Sequence, residues 1–371
     1  MAGIDELRGL AILLVAIYHA GPLAWRLAPY GADGWLAWPR LPLHLWLAVP
    51  FLHFGFTGVH AFFVLSGFCI HLRAARARRR GETPLPALRP FFLRRFWRIY
   101  PPYWMALALF AAAPYVAQAL GWSTRHTPPD AGDVALHAVM LHSLVPSSIF
   151  SINPAFWSLA TEEQFYLAYP LLVRALSRWG MGRVLGVSLV VSLLWRALVL
   201  ALIPPTVEHF LEYRVLIHAL FLPRWYEWIL GCWLAELCLA PSPLVGRRRP
   251  LAVLAALLLL AGMATRVHVA VDKLLSDLFF SSGHAALIGA VLAGGASRGG
   301  GSPTLGRLRG ILGRALAALG RRAYGVYLMH QPILDLLDLP WLVRSGLAAA
   351  VSAVFSRFCE RPFEERSRRL K

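Results

Sequence analysis

The sequence has few charged residues and almost no lysine. Charged side chains make up 15% of its 371 residues, against about 25% in soluble domains. Hydrophobic residues make up 58%, and the mean hydropathy is +0.56. This composition excludes a disordered chain, argues against a soluble globular protein and is typical of a polytopic membrane protein. Acidic residues are also scarce, 19 against 37 basic ones, of which 35 are arginine. In so apolar a chain, the positive-inside rule explains this excess better than nucleic-acid binding.

Cysteine is scarce as well. The four cysteines lie in apolar runs, with no CxxC pair and no cysteine beside a histidine at zinc spacing. His137 and His142 are five residues apart, which does not match the i,i+4 spacing of helical metal sites. We therefore predict no metal site and no tightly bound cofactor. No basic region and cleavage site precede the first apolar run, so we expect that run to be an uncleaved membrane helix.

Apolar runs of the length that a membrane helix needs, about 20 residues, recur along the chain. They predict an all-α, polytopic transmembrane bundle that forms one domain over residues 1–371. The ten candidate spans are 4–24, 53–72, 99–119, 160–178, 184–203, 223–240, 250–267, 277–296, 321–338 and 345–360. The stretch 134–148 is shorter, and it fits either a re-entrant or interfacial helix or a further span. Three tryptophans in 26–52 predict an interfacial loop, and the Gly/Ser-rich stretch 294–303 predicts a flexible cytoplasmic loop.

The distribution of charge tests the ten-span prediction. If the N-terminus is inside and the spans alternate, 27 of the 37 cations lie in inside segments or at the inside ends of spans, and eight lie in outside segments or at the outside ends. The other two, Arg196 and Arg357, lie deeper within spans. Because inside loops of membrane proteins are enriched in arginine and lysine, this asymmetry favours ten helices with both termini in the cytoplasm.

The first predicted helix contains ionisable side chains that are costly within a membrane, which makes them functional candidates. Arg8 and His19 are 11 residues apart, so they share a helix face and are separated by about 16 Å along the axis. Asp5 is placed to pair with Arg8. A plain alternative has Arg8 anchoring the helix and His19 forming a structural hydrogen bond.

Further polar clusters lie at or near the ends of later spans. Arg94, Arg95 and Arg98 suit either lipid anchoring or the binding of phosphates. The acids at 162 and 163 follow Trp157 and Ser158, and the helix dipole accounts for only one of them. Arg224 and Glu227 are spaced to form an ion pair. His330 fits a structural hydrogen bond as well as it fits catalysis. For Glu360, next to Arg361, we favour a structural ion pair. The remaining candidates in these clusters are Ser66, Tyr166 and Tyr327.

Six segments, in order, resemble the acyltransferase-3 family of integral membrane acyltransferases. The first has the family's Arg-x10-His pattern in Arg8 and His19, and the third has its R-x-x-R-x-Y-P element. The segments are 4–19, 62–68, 95–101, 157–167, 324–332 and 360–363. Each motif alone is weak, but together they cover residues 4–365. One departure is His60, where the family often has an acidic residue.

The resemblance implies a bacterial inner-membrane enzyme that moves an acyl group, usually acetyl, from cytoplasmic acyl-CoA to an extracytoplasmic hydroxyl. The acceptor is a carbohydrate, a lipid or lipid-linked glycan, or a secondary metabolite. Some members carry a fused extracytoplasmic esterase-like domain; this sequence has none, so that activity would require a separate partner. The alternatives are a flippase for a lipid-linked sugar, for which we see no inverted repeat, and a structural or receptor membrane protein, which leaves the polar clusters unexplained.

On this basis we expect Arg8, Arg95 and Arg98, with Arg94, to hold the phosphates of acyl-CoA. We expect His19 to act as a general base on the acceptor hydroxyl or to carry the acyl group. We expect Glu162, placed toward the outer side, to orient the imidazole or the acceptor.

Overall fold

The chain forms a bundle of helices. The computed structural model describes residues 3–20, 53–121, 127–204, 208–240, 244, 246–266, 268–294, 303–336 and 341–370, and within these ranges it has no strand. The predicted loop 26–52 and nearly all of the predicted loop 294–303 lie outside the described residues. The helices are α1 (Ile4–Ala20), α2 (Gly58–Arg79), α3 (Leu88–Ala119), α4 (Ala131–Ala138), α5 (Trp157–Trp179), α6 (Met181–Leu202), α7 (Phe221–Leu239), α8 (Arg248–Thr265), α9 (Asp277–Gly294), α10 (Pro303–Gly320), α11 (Ala323–Leu336), α12 (Trp341–Phe355) and α13 (Arg361–Arg369).

Five helical segments in the described residues are long and apolar enough to cross a membrane. They are Gly55–Arg79, Met181–Leu202, Arg248–Thr265, Val269–Gly294 and Leu342–Arg369, and each coincides with a predicted span. The other five predicted spans fall on α1, α3, α5, α7 and α11, and the ends of the predicted spans 4–24 and 321–338 lie outside the described residues. The count of ten spans and the cytoplasmic position of both termini stay predictions.

Two regions differ from what the sequence pattern indicated. The stretch 134–148 is not one helix, because α4 ends at Ala138 and is followed by a short 3₁₀ turn at His142–Leu144. Conversely, α10 occupies a segment in which no span was predicted. It packs antiparallel on α1 at glycine contacts: a Cβ on Gly9 would lie 1.9 Å from the carbonyl oxygen of Leu316, and one on Gly320 would lie 1.8 Å from that of Asp5.

Three short π-helical turns lie in the described residues. They lie at Arg214–Ala219 before α7, at Asp272–Ser276 before α9 and at Ser356–Glu360 between α12 and α13. A π turn shifts the register of the side chains that follow it, and such turns are frequent at functional sites. Each of these three turns carries an ionisable side chain: His218 in the first, Asp272 in the second and Glu360 in the third.

Glycines also set the close packing of α2 on α7 at the centre of the bundle. A Cβ on Gly67 would lie 2.0 Å from the carbonyl oxygen of Trp228, and one on Gly231 would lie 1.9 Å from that of Val64. The helix backbones therefore touch, and any larger side chain must push them apart.

Replacement of Gly231 by alanine is therefore expected to destabilise the protein by about 1–3 kcal/mol, the usual cost of overpacking. Thermal unfolding in detergent would measure the loss. Gly186→Ala on α6 is the matched control, because a Cβ there meets nothing within 4 Å. Equal melting temperatures for the two variants would contradict the close packing of α2 on α7.

Candidate active site

A single cavity of about 390 Å³ brings together most of the polar residues singled out in the sequence. Its walls come from α1, α2, α3, α5 and α11, and the end of α13 contributes to its rim. The predicted site residues that line it are Asp5, Arg8, Ser66, Arg94, Arg95, Arg98, Ser158, Glu162, Tyr166, Tyr327 and Glu360. The predicted residues outside this lining are His19, Trp157, Arg224, Glu227 and His330.

One end of the cavity, which we call the basic end, is rich in guanidinium groups. Besides the predicted arginines, it includes three that the motif analysis did not single out: Arg73, Arg321 and Arg368. Seven arginines against the four acids Asp5, Glu162, Glu360 and Glu364 make this lining net positive. A net positive, concave surface attracts anions.

The guanidinium groups of α3 are free to bind a ligand. Arg95 lies over the ring of Phe91, at 4.6 Å from its centroid, and near the ring of Tyr166. Among the described residues, none accepts a hydrogen bond from Arg95 or Arg98, and the Nε of Arg94 is buried without a partner. Because buried or confined guanidinium groups normally find acceptors, these three are the groups that an anionic ligand would satisfy.

Arg8 extends this surface from α1. Its Nη1 lies 3.4 Å from the Asp5 carboxylate, as the sequence spacing predicted, and its Nη2 lies 3.2 Å from the Sγ of Cys69. The ion pair is half-exposed, so it contributes little to stability. Its main consequence is to hold the Arg8 side chain against the cavity.

A carboxylate with two hydroxyl donors lies farther into the cavity. Ser66 on α2 and Tyr166 on α5 both donate hydrogen bonds to Oε1 of Glu162. The Nε1 of Trp228 donates to the Ser66 oxygen at 3.3 Å. We call Ser66, Glu162 and Tyr166 the carboxylate centre. Glu162 was expected to orient either the His19 imidazole or the acceptor; in this structure it binds these hydroxyls while His19 has another partner, and a role toward the acceptor stays a prediction.

That partner is His330. The Nε2 of His330 lies 3.3 Å from the Nδ1 of His19, and the ring centroids are 5.0 Å apart. His330 Nδ1 donates to the Tyr327 carbonyl at 2.9 Å, and His19 Nδ1 lies 2.9 Å from the Val15 carbonyl. Since a carbonyl only accepts, each Nδ1 carries a proton in the neutral ring. The single Nδ1 proton of His19 is then shared between the Val15 carbonyl and the more distant Nε2 of His330, and the Nε2 of His19 keeps a free lone pair.

Tyr327 separates the two groups. Its hydroxyl lies 2.5 Å from that of Ser158 and lines the cavity, while its ring lies 5.6 Å from that of His330. Phe62, also in the lining, packs edge-on against Tyr327. We call Phe62 and Tyr327 the aromatic wall. The sequence placed His19 and Glu162 in one site; in the structure Glu162 lines the cavity together with this wall, whereas His19 and His330 do not line it.

Glu360 differs from its prediction. It is not paired with Arg361, which bonds to Glu365 instead. Its carboxylate accepts hydrogen bonds from the Ser356 hydroxyl at 2.6 Å and from the backbone N–H of Gly325 at 3.1 Å. It therefore satisfies a free N–H in the first turn of α11. A Cβ on Gly325 would lie 2.7 Å from this carboxylate, so the contact requires glycine there.

A second polar group, the buried charge network, joins four long helices beside the cavity. Arg224 pairs with Glu227 at 2.7 Å, as the sequence spacing predicted. Asp277 on α9 pairs with Arg196 on α6 at 2.9 Å, and His60 bridges Glu227 at 2.9 Å and Asp277 at 3.4 Å. His60, whose partner the sequence left open, thus binds two carboxylates.

This network touches the cavity through aromatic rings. The Arg224 guanidinium lies over Trp157 and Phe63, at 5.7 and 5.8 Å from their centroids. The motif analysis did not select Arg196 or Asp277, although both lie in predicted spans, where an ionisable residue is itself the signal. Arg196 and Asp277 pair with each other although they are 81 residues apart in sequence, so no local spacing rule connects them.

An all-helical membrane-type bundle with a basic cavity beside buried carboxylate and imidazole groups defines a class of intramembrane binding protein or enzyme. The family model described as "Acyltransferase domain" (acyltransferase-3) matches residues 1–356, so the chain belongs to that family of acyltransferases.

Curated relatives carry matching names. A "Putative O-acetyltransferase" of Staphylococcus aureus (strain MSSA476) is 26% identical over 206 residues, which cover 51% of this chain and 28% of that protein. A "Putative acetyltransferase" of Acidianus two-tailed virus is 30% identical over 172 residues, which cover 46% of this chain and 40% of that protein. The matches thus span less than half the length of these relatives. No solved structure matches the chain.

Proposed function

We propose that this protein transfers an acyl group from acyl-CoA to a hydroxyl of a carbohydrate, lipid-linked glycan or small-molecule acceptor. The observation that carries the proposal is the cavity, in which unpartnered guanidinium groups at one end lead to the carboxylate centre. Coenzyme A is a polyanion with a long thiol arm. Arg95 and Arg98, with Arg8 and Arg94, suit its phosphates, and the rest of the cavity, up to the carboxylate centre, would take the arm.

In a membrane, the donor and the acceptor would reach the protein from opposite faces. The charge asymmetry of the sequence would place the basic end at the cytoplasmic face, where acyl-CoA is made. The His19–His330 pair would then lie toward the opposite face and the acceptor. By its resemblance to bacterial members of the family, the protein would reside in the inner membrane and use acetyl groups.

His19 is the proposed general base for the acceptor hydroxyl. The hydrogen bonds at Nδ1 leave Nε2 as a lone pair that can take a proton. The Val15 carbonyl sets the tautomer of His19, and His330 is a positioning residue in this proposal, because its Nε2 contacts the same nitrogen and helps to hold the ring orientation.

The test is the binding of acetyl-CoA to purified protein in detergent or nanodiscs. Acetyl-CoA is expected to raise the melting temperature of the wild type. Arg98→Ala should weaken binding about 10- to 100-fold, since a hydrogen bond to a charged group contributes roughly 1.5–3 kcal/mol. Arg361→Ala is the matched control, because Arg361 is exposed and does not line the cavity.

Two results would oppose the proposal. If several acyl-CoAs leave the melting temperature of folded wild type unchanged, the donor is a different compound or the protein moves its ligand without chemistry. If Arg98→Ala and Arg361→Ala bind acetyl-CoA equally well, the phosphates do not occupy the basic end.

A further inference from the structure

The hydroxyl of Ser66 is bonded differently from those of Ser177 and Ser188. Ser188 and Ser177 donate to carbonyls of their own helices, at 2.7 and 3.0 Å, which is the usual arrangement for serine in an apolar helix. Ser66 donates instead to the carboxylate of Glu162, which lies on another helix in the same cavity wall. A hydroxyl that donates to a carboxylate can lose its proton to it as the oxygen attacks.

The remaining bonds of Ser66 leave room for that attack. A serine oxygen has one proton and two lone pairs. The proton goes to Glu162, and one lone pair accepts the N–H of Trp228. The Tyr166 hydroxyl is a further hydrogen-bonding neighbour of Ser66, but it donates its only proton to Glu162. The second lone pair of Ser66 therefore receives no proton from Tyr166, and because Ser66 lines the cavity, this lone pair is available to a ligand there.

We propose that Ser66 is an acyl carrier: the donor acylates its oxygen, and the acceptor receives the acyl group from this ester. The inference rests on the proposed function, since it requires an acyl-CoA donor. In the first step, Ser66 Oγ attacks the thioester carbonyl and its proton passes to Glu162. The C–S bond breaks, and CoA leaves as a thiolate that takes a proton from water.

The second step transfers the acyl group to the acceptor and regenerates the free hydroxyl of Ser66. The acceptor oxygen attacks the ester carbonyl, and its proton goes to His19, which later releases it to water. The bond from the carbonyl carbon to Oγ breaks, and Glu162 gives back to Oγ the proton that it has held. Tyr166, which donates to the same carboxylate, stabilises Glu162 whenever it is ionised.

The aromatic wall, Phe62 and Tyr327, explains why a covalent carrier would help the reaction. His19 and His330 lie behind Tyr327 and do not line the donor cavity. A covalent ester allows CoA to leave before the acceptor arrives from the side of the imidazoles. The acyl group then meets the acceptor only after Phe62 and Tyr327 change position, which also limits loss of the acyl group to water.

The experiment uses radiolabelled acetyl-CoA without any acceptor. Wild-type protein is rapidly mixed, quenched with acid and digested, and the label is expected on the peptide that contains residue 66. Ser66→Ala should lose this label and more than 100-fold of the transfer rate but keep the acetyl-CoA-induced rise in melting temperature. Ser66→Cys should form a thioester, which neutral hydroxylamine cleaves far faster than the wild-type ester. Ser188→Ala, a buried serine on α6, is the control.

The outcomes separate the two proposals. If acetyl-CoA neither binds nor releases CoA, the proposed function fails. If it binds and reacts, but no label reaches residue 66 in wild type or Ser66→Cys, the carrier is excluded and transfer is direct or uses another residue. Transfer by Ser66→Ala within about twofold of wild type, a difference under roughly 0.5 kcal/mol, excludes it as well.

Discussion

Replacement of His19 by alanine is expected to reduce acyl transfer by about 10²- to 10⁴-fold, the usual contribution of a positioned general base. Acetyl-CoA binding should hardly change, because His19 does not line the donor cavity. The rate constant for transfer should therefore fall, while the dissociation constant for the donor stays near the wild-type value. Transfer to a hydroxyl acceptor, followed at equal amounts of folded protein, measures the first quantity, and thermal stabilisation measures the second.

The control for His19 is His268→Ala, an exposed histidine outside the site. A third variant, His330→Ala, should have a smaller effect than His19→Ala, because it removes the positioning contact at 3.3 Å and leaves the base in place. Wild-type transfer by His19→Ala would show that this imidazole is not essential and would exclude the proposed base. A loss of donor binding in His19→Ala would instead indicate a structural role.

Much of the helical framework could be predicted from the sequence, because membrane helices leave a strong local signal. The helix α10 could not, since its arginines and glycines read as an inside loop. What makes it pack is the absence of side chains at Gly9 and Gly320, which lets two backbones touch. Such a contact depends on which helices meet, and hydropathy along one chain does not encode that.

In the candidate site, too, individual residues could be predicted from the sequence, whereas some of their partners could not. Motifs and charge located Arg8, Arg98 and Glu162, which the structure does bring to one cavity. The partners of these residues were harder to predict. The sequence predicts that Glu162 orients the His19 imidazole or the acceptor, but its hydroxyl partners Ser66 and Tyr166 come from helices whose rotation the sequence does not specify. Tyr327, one of the motif residues, turns out to stand between the two groups.

The buried charge network is expected to make the protein sensitive to the loss of a single partner, which Asp277→Asn tests. Asp277 is 3% exposed and contacts Arg196, Arg224, His60 and His218. The substitution keeps the shape of the side chain but leaves two buried guanidinium groups with one carboxylate. Removal of one partner from a buried ion pair costs about 3–5 kcal/mol, so the melting temperature in detergent should fall sharply.

The matched control is Glu365→Gln, which breaks the exposed pair with Arg361; exposed pairs contribute about 0–1 kcal/mol. A second test replaces both partners, as Arg196→Met with Asp277→Leu. Because no buried charge of that pair is then left unpaired, the double variant should be more stable than Asp277→Asn, which separates the cost of an orphaned charge from the loss of a favourable contact. Equal stability of Asp277→Asn and Glu365→Gln would mean that water reaches Arg196 and Arg224. The network would then not hold α6, α7 and α9 together or support the rings of Trp157 and Phe63 at the cavity.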